Sequence, residues 1–124
     1  MRILLVDDEE ELVSALAERL TIRGIENEWF TRGSEALQRI DSGCFDVAVL
    51  DIKMPKIGGL ELRKKLEDRC PDMKFIFLTG YGPEKDLTIE TEIDGESDYL
   101  VKPVDISILI NKIKGLFPDR RDDI

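Results

Sequence analysis

The sequence predicts an α/β domain with a parallel sheet covered by helices on both faces. Three observations carry this. Short uninterrupted apolar runs recur along the chain, amphipathic stripes fall between them, and 124 residues suit one domain. Continuous apolar strands are those buried on both faces, as in a parallel sheet. A chain of this size can bury a real core without disulfides or metals.

The elements follow in order. Ile3–Val6 is a first strand. Glu10 to Ile22 places Leu12, Val13, Leu16, Ala17 and Leu20 on one helical stripe, and Gly24 ends it. Ile25–Phe30 is a second strand with weaker patterning. Ser34 is the expected cap of a helix through Ile40, with Leu37 and Ile40 inward. Val47–Leu50 is a third strand, Leu60–Arg69 a helix and Lys74–Leu78 a fourth strand. Pro83 suits the first turn of a fourth helix. Tyr99–Val101 is a short fifth strand. Ile106, Leu109, Ile110, Ile113 and Phe117 make one apolar stripe on a final helix. Five strands alternating with five helices, joined by right-handed crossovers, point to the flavodoxin-like, doubly wound (βα)5 arrangement with order 2-1-3-4-5. The domain is expected over residues 1–118, with 119–124 a polar tail or the start of a linker.

Composition narrows the function. A net charge of −9 argues against direct nucleic-acid contact and favours cations or a basic protein surface. No apolar run approaches the roughly 20 residues needed to cross a membrane, and the short apolar start lacks a signal peptide's features. The cytoplasm is the default location. The chain has no histidine, so His-based catalysis is excluded and any phosphohistidine must come from a partner. Cys44 and Cys70 match neither a redox nor a zinc spacing. Both precede predicted strands, near one sheet edge, and in a cytosolic chain are expected as reduced thiols. Arg63-Lys64-Lys65 reads as a solvated helix face.

In such a fold, ligands sit at the carboxyl ends of the strands where the strand order reverses. The residues that follow the strands are Asp7 and Asp8, then Asp51, then Thr79, then Lys102 and Pro103. Three converging carboxylates repel one another unless protons or a cation intervene. Their oxygens suit Mg²⁺. A lysine and a hydroxyl beside them can cradle a phosphoryl group, and a carboxylate can be a phosphoryl acceptor. Taken singly, each residue has a structural reading. Asp7 and Asp8 could be helix-start acids, Asp51 a turn residue, Thr79 a strand end, Tyr99 a packing aromatic and Lys102 a solvated lysine.

In combination, these residues resemble the receiver domain of two-component response regulators, of the chemotaxis-Y type, over nearly the whole chain. The match rests on Asp7-Asp8, on Asp51-Ile52-Lys53-Met54-Pro55 with Gly59, on Thr79, and on Asp98-Tyr99-Leu100-Val101-Lys102-Pro103. The resemblance implies that Asp51 is the phosphoacceptor. It implies that Asp8, Asp51 and the Lys53 carbonyl bind Mg²⁺ or Mn²⁺, with Asp7 assisting through a water. Thr79 and Lys102 would hold the phosphoryl group, Tyr99 would be an aromatic switch, and Lys102–Pro103 would be cis. Lys53 and Tyr81 would tune phosphoryl lifetime, Tyr81 by hindering the attacking water. The implied partners are a histidine kinase or histidine phosphotransfer protein and a downstream effector, with a phosphorylation-dependent dimer admitted. The domain would be a switch rather than an enzyme, acting through the surface of its fourth helix, fifth strand and fifth helix.

One stretch departs from the family. Residues 83–96 are acidic and rich in β-branched residues, where receivers have an alanine-rich helix. An irregular helix, an uncommon dimer interface and a basic partner are the expectations there. Three rivals stand beside the main reading. An aspartate-nucleophile phosphatase would need an acid where Lys53 stands. A flavodoxin-type nucleotide binder would need a Ser/Thr/Gly-rich loop where the chain has Asp7-Asp8-Glu9-Glu10-Glu11. The third is a receiver-like interaction module that is never phosphorylated.

Overall fold

The uninterrupted apolar runs become the middle of a five-stranded parallel sheet. The computed structural model describes residues 1–80 and 98–118. The elements are β1 (Arg2–Val6), α1 (Glu10–Ile22), β2 (Glu26–Phe30), α2 (Gly33–Ile40), β3 (Val47–Asp51), α3 (Gly59–Arg69), β4 (Lys74–Thr79), β5 (Asp98–Val101) and α4 (Ile106–Leu116). The strand order is β2-β1-β3-β4-β5, all pairs parallel. The helix expected over 83–96 and the tail after 118 lie outside the described residues. The helix labelled α4 is therefore the fifth one predicted.

Side-chain alternation divides the core into two layers. Ile3, Leu5, Val47, Val49, Ile76 and Leu78 pack with Val13, Leu16 and Leu20 of α1 and with Leu109 and Ile113 of α4. Leu4, Val6, Ala48, Leu50, Phe75 and Phe77 pack on the other face with Ala36 and Ile40 of α2 and Leu62 and Leu66 of α3. Each fully buried large aliphatic contributes about 1.5–3 kcal/mol. β2 lies at one edge of the sheet and buries none of its residues fully, which accounts for its weaker apolar pattern.

Helix ends follow local chemistry. Gly24 has φ +76, and its amide donates to the Thr21 carbonyl at 2.9 Å, closing α1. Asp105 caps α4 by accepting from the amides of Ser107 at 2.8 Å and Ile108 at 3.2 Å. The Ser34 cap is corrected. α2 begins at Gly33 behind Arg32, and no side chain caps it. The helix thus starts two residues earlier than a Ser34 cap would give, and Gly33 packs so closely on Ile57 that a Cβ there would lie 3.2 Å from the Ile57 Cβ.

The reduced-thiol reading is also corrected. Cys44 and Cys70 form a disulfide with Cα atoms 6.0 Å apart. One precedes β3 and the other precedes β4, and these strands are direct neighbours. The sheet thus sets the two sulfurs side by side at its amino edge, a proximity that spacing along the chain does not display.

Candidate functional site

The carboxyl edge of the sheet gathers the acids. Leu50 faces the α2/α3 layer, so alternation turns Asp51 toward the α1/α4 side at the end of β3. Asp7 follows the interior strand β1 and is fully buried, Asp51 is 4% exposed, and Asp8 is open to solvent. Carboxylate oxygens of Asp7, Asp8 and Asp51 all lie within 4.8 Å of one another. Two like charges about 4 Å apart repel by about 4 kcal/mol at an effective dielectric near 20. The Asp51 carboxyl is accordingly pushed up to about 7, through burial first and the Asp7 charge second, with Asp8 adding and Lys102 opposing. Burial also raises Asp7, offset by the Glu9 amide, which donates to Oδ1 at 2.9 Å, and by Lys102.

Lys102 reaches in from the end of β5, where its amide donates to the Thr79 carbonyl at 2.8 Å. Its Nζ lies 2.6 Å from Glu9 Oε1, 2.9 Å from Asp7 Oδ2 and 3.5 Å from Asp51 Oδ2. Burial works against its charge, yet the carboxylates of Glu9, Asp7 and Asp51 outweigh it and raise its pKa. Glu9 was not among the predicted site residues. Its only sequence signal is its place in an acid run beside Asp7-Asp8. The Lys102–Pro103 peptide bond is cis.

Thr79 is buried at the end of β4. The register pairs Phe77 with Tyr99 and Thr79 with Val101. Thr79 and Tyr99 therefore share one sheet face as diagonal neighbours, and Tyr99 is half-buried against the α2/α3 layer. Lys53 is exposed in the turn after β3. Tyr81 lies outside the described residues.

Gly59 explains how this turn stays tight. Its amide donates to the Ile52 carbonyl at 2.9 Å. A Cβ on Gly59 would sit 2.3 Å from the Asp51 carbonyl oxygen. The start of α3 thus rests directly on the backbone of Asp51. Beside Asp8 a recess of about 500 Å³ opens toward Arg32, Ser34, Met54 and Lys56.

The donor chemistry fits a hard divalent cation. Three carboxylates converge, the most buried pair shares the charge of Lys102 with Glu9, and all the donors are oxygens. A sheet in this order, with an acid cluster at its switch point, a lysine reaching it from the end of β5 and a buried hydroxyl at the end of β4, is the arrangement of receiver domains.

Comparison with known proteins agrees. Residues 3–114 match the family model of the response regulator receiver domain. The chain belongs to that family. It is 34% identical over 114 residues to the CAI-1 autoinducer sensor kinase/phosphatase CqsS of Vibrio cholerae, covering 90% of this chain and 17% of that protein. It is 37% identical over 101 residues to the response regulator SaeR of Staphylococcus epidermidis, covering 82% and 43%. The chain thus spans less than half of either relative. Among solved structures, a CheY-like receiver domain protein from Methanospirillum hungatei matches with a TM-score of 0.82 and 31% identity, over 99% of this chain and 98% of that one. TrrA of Thermotoga maritima, in complex with Mg²⁺-BeF, matches with a TM-score of 0.76 and 38% identity, over 94% and 98%. Among the described residues, no helix is long and apolar enough to cross a membrane.

Proposed function

We propose that Asp51 accepts a phosphoryl group from a phosphohistidine on a histidine kinase or histidine phosphotransfer protein, switching the domain's contact with a downstream effector. The observation that carries this is the burial of Asp51 beside Asp7, Asp8 and Lys102 at the switch point of the sheet. The N–P bond of the donor breaks as a bond forms from an Asp51 carboxylate oxygen to phosphorus, and the histidine nitrogen leaves with the electron pair. The donor histidine belongs to the partner, since this chain has none.

Asp8, Asp51 and the Lys53 carbonyl would hold Mg²⁺ or Mn²⁺, with Asp7 assisting through a water. Bound there, the ion would neutralise the carboxylates and the charge on the transferring group. That TrrA was solved with Mg²⁺-BeF supports this assignment. Lys102 supplies the protein's own positive charge, and the Thr79 hydroxyl donates to a phosphoryl oxygen. Tyr99 follows Thr79 as its diagonal neighbour on the sheet. Lys53 and Tyr81, two residues past Asp51 and Thr79 in the sequence, would set access of water and hence phosphoryl lifetime. The response then appears around β5 and α4, where Val101 is 42% and Ile108 51% exposed. The domain, residues 1–118, acts as a cytoplasmic switch whose chemistry is limited to gaining and losing its own phosphoryl group.

Incubation with acetyl phosphate and Mg²⁺, read by intact mass, tests the reading. The parent gains one phosphoryl mass and Asp51→Asn gains none. A parent that gains nothing refutes phosphoacceptance, and gain by both moves the acceptor elsewhere.

A further inference from the structure

Lys102 is shared by three carboxylates, and Glu9 holds it at the shortest distance. Glu9 occupies the N-cap position of α1, yet its side chain makes no capping hydrogen bond. It reaches instead across 93 positions of sequence to the Lys102 ammonium at 2.6 Å. Asp7 and Asp51, the other two partners, belong to the cluster of converging acids, and Glu9 does not. Were Asp7 and Asp51 to turn to a cation, Glu9 would remain a carboxylate partner of Lys102. Asp51 is the farthest of the three from Nζ, at 3.5 Å.

We infer that Glu9 is a positioning residue, a latch that holds Lys102 back from Asp51 and lowers the rate at which Asp51 takes up a phosphoryl group. This rests on the phosphoacceptor reading of the same site. A transferred phosphoryl group needs the lysine's charge, so Lys102 must leave Glu9 to reach it. The Glu9 side chain is 60% exposed, and an exposed ion pair of this kind shifts equilibria by about two- to five-fold. Release of the latch speeds phosphorylation by that factor.

The test is Glu9→Gln, which keeps the side chain's length and removes its charge. Phosphorylation by acetyl phosphate is followed by intact mass at varied donor and Mg²⁺ concentrations. The maximal rate rises about two- to five-fold, while the Mg²⁺ concentration giving half the maximal rate stays at the parent's value. Glu10→Gln, which removes an exposed acid one residue away, reports bulk charge alone and behaves as the parent. An unchanged or lower maximal rate in Glu9→Gln overturns the latch, as does an equal gain in Glu10→Gln. A gain confined to the half-saturating donor concentration also overturns it, because that signature belongs to electrostatic attraction of the anionic donor. A parent that never gains a phosphoryl mass refutes the acceptor reading, and the latch falls with it. A parent that is phosphorylated, with Glu9→Gln at the same rate, refutes the latch alone.

Discussion

Replacing Asp51 by asparagine should make the metal-free protein more stable at pH 8. The residue is nearly buried, beside the fully buried Asp7, and its carboxyl is pushed from 3.8 up to about 7. Below pH 3.8 the group is protonated both folded and unfolded, and its burial costs no charge. Between 3.8 and about 7 the unfolded chain ionises while the folded chain still holds the proton. The contribution to stability therefore falls as pH rises, and the full cost is present above 7. At about 1.4 kcal/mol per tenfold change in proton affinity, the upper bound is near 4 kcal/mol. Water enters on the exposed Asp8 side and salt screens the cluster, so about 1–2 kcal/mol is the expected gain. Asparagine fills the same space without the charge, and Lys102 keeps its closer partners Glu9 and Asp7. A gain of that size raises Tm by about 3–8 °C in a domain of this length. The assay is thermal unfolding of both proteins in EDTA from pH 4 to pH 8. The difference should be largest at pH 8 and shrink toward zero near pH 4. A variant that is less stable at pH 8, or a difference independent of pH, would refute the account of charge conflict.

Two further predictions concern stability alone. Gly59→Ala would normally gain about 1 kcal/mol of helix propensity. Its Cβ would instead meet the Asp51 carbonyl, so urea unfolding should show a net loss of about 1–3 kcal/mol. Equal or greater stability would show that the turn is slack. Reducing the Cys44–Cys70 disulfide, which spans 26 positions, should lower unfolding stability by about 2–4 kcal/mol. A urea midpoint unmoved by dithiothreitol would count against it.

The elements that the sequence showed best are those whose burial is complete. Val47–Leu50 is apolar at every position because both of its faces are covered, and β3 lies where the run predicts. The edge strand β2 is exposed along one side, so its pattern was weaker. The acids at the strand ends were legible because a parallel sheet converts strand order into proximity. Asp7, Asp8 and Asp51 meet for that reason. Glu9 was not legible as a partner of Lys102. Its contact depends on the reach of two long side chains rather than on a position in the topology. The disulfide was hidden for a different reason. Compartment chemistry argued for thiols, whereas the pairing of β3 with β4 decides which cysteines can touch.

The placement of that disulfide has a topological consequence. It joins the loop that enters β3 to the residue that ends α3, so β3, its turn and α3 form a closed covalent ring with Asp51 on its far side. A protease that cuts the exposed turn around Lys53 and Lys56 would sever the backbone beside Asp51. The two pieces would still travel together on a non-reducing gel and separate only when the ring is opened by reduction. The segment that carries Asp51 is thus tethered from the opposite edge of the sheet.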